Sequence, residues 1–147
     1  MENKINVKII NKSDNPLPAY ATDGSAGMDV RAYLEEPIVI EPMHRKLIPT
    51  GLYVALPRGY ELQMRPRSGL ALKSGISLVN TPGTIDSDYR GEIGVILINL
   101  SDRPFTVNPG DRICQMVPAH VPKLQWESVD ELSDSSRGDG GFGHTGV

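Results

Sequence analysis

The residues best suited to chemistry in this chain are concentrated between positions 80 and 92. Thr81-Pro82-Gly83 is a turn signal between two strand-like stretches, residues 76–80 and 84–88. A hairpin opened by such a turn exposes backbone donors and acceptors at its mouth. Asp86 follows, a carboxylate that can take a proton from a water within hydrogen-bond reach. Tyr89 adds an aromatic face. Alone, the segment is better read as an ordinary hairpin with two exposed aspartates and a half-buried strand tyrosine.

Donors suited to anionic oxygens lie elsewhere. Arg67 offers a planar fork that matches phosphate. Ser68 is placed to cap a helical turn or two over residues 68–73, adding backbone amides to its hydroxyl. Gln115 is a third donor. The plain alternative is a solvated arginine and a simple helix cap. Near the end, Phe142 stands isolated among glycines, with Arg137 before it and Thr145 after it. Slack chain rarely carries such an aromatic.

Other patterns carry nothing. Residues 138–143 satisfy G-x-G-x-x-G, but only four residues follow, too few for the helix that fingerprint requires. Arg137-Gly138-Asp139 matches an adhesion tripeptide, without a secretion signal to give it context. His44, His120 and His144 are scattered, and Cys114 is the sole cysteine. That excludes an intramolecular disulfide framework and any cysteine-rich metal site.

The elements that must position these residues are short strands. Proline and glycine number 12 and 15, and between Pro16 and Pro122 no stretch free of both exceeds nine residues. A typical helix runs ~11–12 residues, so that region has little room for helix. Ile5, Val7 and Ile9 alternate with polar residues, as do Leu52, Val54 and Leu56. Residues 30–34, 38–40, 105–107 and 113–117 read as further strands. Residues 95–98 form a continuous apolar run, expected where a strand is covered on both faces. Many short strands point to a sandwich, barrel or jelly roll.

Bulk properties set the limits. The chain has 147 residues, enough for one domain, with 39% hydrophobic residues and 5% aromatic. The core must therefore rely on Val, Ile and Leu. A net charge of −3 argues against general binding to nucleic acid or a membrane surface. No window approaches ~18 apolar residues, and the start has no signal-like apolar stretch, so a soluble cytoplasmic domain is expected. After Trp126 the composition becomes polar and glycine-dense. Residues 127–147 are expected to form a flexible arm on a β-rich domain of residues 1–126.

Five segments, in order and spacing, resemble the five motifs of the homotrimeric dUTP diphosphatases. They are Ala26-Gly27-Met28-Asp29, Pro66-Arg67-Ser68-Gly69-Leu70-Ala71, residues 83–92, Gly110-Asp111-Arg112-Ile113-Cys114-Gln115-Met116, and residues 137–146. The resemblance covers nearly the whole chain. It implies an all-β, distorted jelly-roll-like barrel or sandwich with one short helix and a C-terminal arm. It also implies hydrolysis of dUTP to dUMP and pyrophosphate by water attack on the α-phosphorus, which limits dUTP and supplies dUMP for thymidylate synthesis.

By the same resemblance, backbone at Gly83, Thr84 and Ile85, with the Asn80 side chain, pairs with uracil. Cytosine would meet donor against donor there, and such a site can reject a mismatched base by ~10⁴. Tyr89 packs under the sugar and leaves no room for a 2′-hydroxyl. Asp86 is the general base, while Asp88 has no role that resemblance fixes. Arg67, Ser68, Gly69 and Gln115 hold phosphates. In the arm, Arg137 meets the γ-phosphate, Phe142 stacks on the base, Gly143 lets the backbone close in, and Thr145 donates to phosphate oxygens. Mg²⁺ travels on the substrate phosphates, and Asp29 either holds one of its waters or is a plain strand-end aspartate. A homotrimer shares each site among three chains.

Departures are small. Cys114 stands where a small apolar residue is more usual, and Thr84 and Thr145 are conservative variants. A dCTP deaminase or bifunctional relative shares the fold, but the aspartate–tyrosine pattern disfavours it. A non-catalytic nucleotide sensor would have no use for Asp86.

Overall fold

The computed structural model describes residues 3–146, so the expected domain limits at residues 1 and 147 lie outside the described residues. Among those residues the chain forms eleven strands and one helix. In order they are β1 (Lys8–Asn11), β2 (Met28–Arg31), β3 (Ile38–Ile40), β4 (Arg45–Pro49), β5 (Leu52–Ala55) and β6 (Tyr60–Arg65). Helix α1 (Ser68–Ser74) precedes β7 (Ile76–Leu78), β8 (Gly83–Ile85), β9 (Gly94–Asn99), β10 (Phe105–Val107) and β11 (Arg112–His120). Among the described residues no helix is long and apolar enough to cross a membrane.

Antiparallel pairing gathers the strands into a four-stranded sheet, β2-β11-β6-β8, a three-stranded sheet, β4-β9-β7, and two strand pairs, β1-β5 and β3-β10. The core between them is aliphatic. Val30, Ile40, Ile48, Leu97, Val107 and Ile113 are all fully buried, and the one aromatic ring packed against the cluster, Phe105, is only partly buried. A core that is almost wholly aliphatic follows from the low aromatic content, and β-branched side chains suit pleated surfaces.

Three sequence expectations change. First, residues 76–88 are not a hairpin: β7 pairs with β9, whereas β8 pairs with β6 in the other sheet. The Thr81–Pro82 bond is cis, and the Thr81 hydroxyl donates to Leu78 O at the end of β7. Ile76, Leu78, Gly83 and Ile85 are all buried, so both strands feed the core from opposite sides. The segment is a crossing between sheets.

Second, the N-cap of α1 is Arg67, extended at φ −84 and ψ 129, and no side chain caps the helix. Arg67 O accepts the first helical bond from Ala71 N at 3.0 Å, which places Ser68 inside the first turn. Gly75 closes the helix in the left-handed region at φ 64, with its N–H on Ala71 O at 3.1 Å.

Third, the apolar run in β9 has only one core face. Val95 and Leu97 are buried there, while Ile96 is half-buried and lines a cavity. Ile5, Val7 and Ile9 likewise border an open apolar groove with Val54 and Leu62, and only residues 8–11 form β1.

β4 and β6 lacked an obvious sequence signal. In β6, Leu62 and Met64 point inward while Glu61, Gln63 and Arg65 alternate outward. The end of β9 is held by Asn99, which is fully buried. Its amide donates to Ile40 O at 2.9 Å and Arg103 O at 2.6 Å, and its oxygen accepts from Ser101 N and Oγ at 2.9 and 2.7 Å. From residue 121 to 146 there is no helix or strand.

Candidate active site

A cavity of about 300 Å³ lies against the edge strand β8, with Met64, Leu78 and Ile96 as its apolar lining. That is at the small end of the ~300–1,000 Å³ range of ligand pockets. Asn80, Gly83, Thr84, Ile85, Asp86 and Tyr89 all line it, so six of the expected residues converge. β8 pairs with a strand on one side only, which leaves one edge of its backbone open to hydrogen bonding. Gly83 is tightly enclosed: a Cβ would stand 3.1 Å from Asn80 Nδ2 and 3.3 Å from Met64 Cβ, so its neighbours would have to give by a few tenths of an ångström.

Asp86 is exposed at the end of β8, where the strand turns away. Its carbonyl accepts the Tyr89 N–H at 3.2 Å, closing a turn over residues 86–89. Asp86 also borders a second cavity of about 630 Å³, lined in part by Arg58, Arg90 and Lys123. Tyr89 is 43% exposed, and its Oη donates to Glu92 O at 2.7 Å. Glu92 and Gly94 complete the wall.

The expected phosphate donors form a second group. Asp29, Gln115 and Arg65 pair directly across β2, β11 and β6, so they share one face of the four-stranded sheet. On the opposite face, Met116 and Met64 are buried in the core. Arg67 Nε reaches Asp29 Oδ1 at 3.2 Å and its NH1 reaches Arg112 O at 3.3 Å. Arg112 NH1 takes the other Asp29 oxygen at 3.4 Å. Asp29 therefore holds two guanidiniums, a role the sequence left unassigned. Gly27, just before β2, stands where a Cβ would be 3.0 Å from Val117 Cγ2, a close approach to β11.

None of Arg67, Ser68, Gly69 and Gln115 lines the cavity of Asp86. The arm forms a third group. Arg137 Nε donates to Gly140 O at 2.7 Å within its own turn. Phe142 is fully exposed at φ 50, Gly143 has φ 85, and Thr145 is exposed.

The sequence did not single out Gly91, Glu92, Arg65 or Arg112. For Ile96 the signal was present, since an apolar run on a half-covered strand needs something to line. Cys114 is buried, and burial, then the charge of Asp29, pushes its thiol up to about 12. It stays protonated at neutral pH and packs as an apolar residue. Among the described residues no group of three His, Cys, Asp or Glu side chains could hold a metal ion.

The family model that matches this chain is dUTPase, over residues 3–146. The chain belongs to the dUTPase family. A deoxyuridine 5'-triphosphate nucleotidohydrolase of Finegoldia magna is 57% identical over 140 residues, covering 95% of this chain and 98% of that one. The protein of the same name from Fusobacterium nucleatum is 53% identical over 143 residues, covering 97% and 98%. Among solved structures, the Staphylococcus bacteriophage 80alpha dUTPase with dUPNHPP superposes with a TM-score of 0.87 at 25% identity, covering 98% of this chain and 100% of that one. The all-β jelly-roll-like dUTPase fold expected from the motifs is the fold observed.

Proposed function

We propose that this dUTPase hydrolyses dUTP to dUMP and pyrophosphate by water attack on the α-phosphorus, with Asp86 as the general base. The observation that carries the proposal is the 300 Å³ cavity in which Asn80, Gly83, Thr84, Ile85, Asp86 and Tyr89 meet. Uracil pairs with the open backbone edge of residues 83–85 and with Asn80. The sugar lies on Tyr89, whose ring leaves no space for a 2′-hydroxyl. Asp86, exposed at the cavity rim, takes the proton of the attacking water.

The triphosphate leaves this cavity and needs donors that the same chain holds elsewhere. Arg67, Ser68, Gly69 and Gln115 supply them from a second subunit. The arm, residues 127–147, supplies Arg137, Phe142, Gly143 and Thr145 from a third. This gives a homotrimer with shared sites, and it fits an arm in which Arg137, Gly138, Gly140, His144 and Gly146 make hydrogen bonds to other arm residues. Stacking of Phe142 on uracil contributes ~1–3 kcal/mol, and closure excludes bulk water.

Among the described residues the donor set offers no protein cage for a metal, which fits a hard cation held chiefly by substrate phosphates and water. Mg²⁺ bound in that way would supply charge neutralisation on the departing pyrophosphate. With both oxygens on arginines, Asp29 aims Arg67 at the phosphates rather than holding a water of the cation.

The test is pyrophosphate release by purified protein in ¹⁸O-water, with dUTP, UTP and dCTP in parallel. Turnover of dUTP alone, with the label in dUMP, is expected. Label in pyrophosphate, equal rates on UTP, or ammonia from dCTP would overturn the proposal.

A further inference from the structure

Glu92 lines the cavity beside Tyr89, and none of the roles above uses it. Its backbone carbonyl accepts the Tyr89 phenol at 2.7 Å. The same peptide is held at its other end, because the Ile93 N–H donates to Leu52 O at 2.8 Å. The Glu92 carboxylate reaches across to the turn between β4 and β5, where Oε1 accepts the Gly51 N–H at 2.9 Å. The neighbouring Ile93 carbonyl takes the buried Thr50 hydroxyl at 2.6 Å.

That turn is a firm anchor. Gly51 sits at φ 69, and a Cβ there would lie 2.9 Å from Ser13 N and 3.1 Å from the Tyr33 ring. By contrast, Tyr89 has little of its own to hold it. The residue is 43% exposed, and its ring lies over Gly91, where a Cβ would come 2.5 Å from the phenol oxygen. The phenol bond therefore fixes the height of the ring above Gly91.

We infer that Glu92 is a positioning residue for deoxyribose selection. Its carboxylate, anchored on Gly51, fixes the carbonyl that ties down the Tyr89 phenol, and the ring is thereby held where a 2′-hydroxyl cannot fit. The inference rests on the reading of Tyr89 as the sugar platform. Without the carboxylate, the Gly51 N–H loses its acceptor, and the segment stays tied to the β4–β5 turn only through Ile93, by its bonds with Leu52 O and the Thr50 hydroxyl. The phenol anchor then shifts. Displacements of about 1 Å can cost ~10²-fold where geometry is strict, and a tilting ring should cost roughly tenfold in discrimination.

The experiment is the ratio of kcat/KM for dUTP to that for UTP, in wild type and in Glu92→Ala, Glu92→Gln, Tyr89→Phe, Tyr89→Ala and the Glu92→Ala/Tyr89→Phe double variant. A ratio of two substrates on one enzyme preparation cancels any loss of folded protein. Glu92→Ala should lower the ratio about tenfold, chiefly by admitting UTP. Glu92→Gln should restore it, because an amide oxygen still accepts from Gly51. Tyr89→Phe should match Glu92→Ala, and the double variant should fall no further. An unchanged ratio in Glu92→Ala, with collapse in Tyr89→Ala, overturns the inference and leaves the sugar platform standing. Independent, additive losses in the double variant overturn it as well. No change in Tyr89→Ala removes the platform and the inference together.

Discussion

Replacing Asp29 by alanine separates two jobs that a carboxylate near a triphosphate can have. In the structure it accepts Arg67 at 3.2 Å and Arg112 at 3.4 Å. The Arg67 side chain is 23% exposed and that of Asp29 24%, so this bond lies near the lower end of the ~1.5–3 kcal/mol range for charge-assisted pairs. Arg112 is 49% exposed and its bond is long, so solvent screening reduces that pair to about 0.5 kcal/mol. Together the loss is about 2 kcal/mol, which for a domain of this size lowers the melting temperature by roughly 4–8 °C. Arg67 keeps its contact with Arg112 O but loses the group that aims it. KM for dUTP should rise about tenfold, equivalent to one charge-assisted bond made less well. The Mg²⁺ concentration for half-maximal rate should stay where it is. Steady-state kinetics over a grid of dUTP and Mg²⁺ concentrations measures both quantities at once. A raised Mg²⁺ requirement with unchanged KM at saturating Mg²⁺ would refute the argument and return Asp29 to the cation.

Deleting residues 137–147 should reduce turnover by ~10²-fold or more, because phosphate and stacking contacts and lid closure vanish together; sedimentation should find the trimer intact. Asn99→Leu should cost about 2–3 kcal/mol in a denaturant titration, since it strands the Ile40 carbonyl and the Ser101 N–H and leaves Arg103 O only the Ser101 hydroxyl. Cys114 should remain silent to a thiol reagent at pH 8 and react only on unfolding, as its burial and raised pKa require.

How much could be read in advance differs from element to element. The all-β class was legible because proline and glycine leave no room for long helices, and Leu52 and Val54 face the core as their alternation requires. The pairing of β7 and β8 was not legible. A turn signal marks a change of direction, but whether two strands pair depends on which sheets already hold them. Ile76 and Ile85 show burial without showing where. Strands β4 and β6 were hidden because each mixes outward charges with only one or two buried residues. Asp86 and Tyr89 were found by their motif and Asn80 by the family resemblance, and the cavity brings them together. The arginine pair on Asp29 could not be seen, since Arg67 and Arg112 are 45 residues apart and meet only through register across the sheet. Glu92 was overlooked for a similar reason: its partner, Gly51, lies 41 residues away and contributes only a backbone N–H.

The assignment of Asp86 is the claim on which the mechanism turns, and Asp86→Asn tests it most directly. The substitution keeps size and polarity and removes only the capacity to take a proton. Turnover of dUTP and calorimetric binding of a non-hydrolysable dUTP analogue should be measured on the same preparation. The account predicts turnover lowered by ~10²–10⁴-fold with binding within a few-fold of wild type. Turnover near the wild-type rate, or analogue binding lost along with turnover, would contradict it.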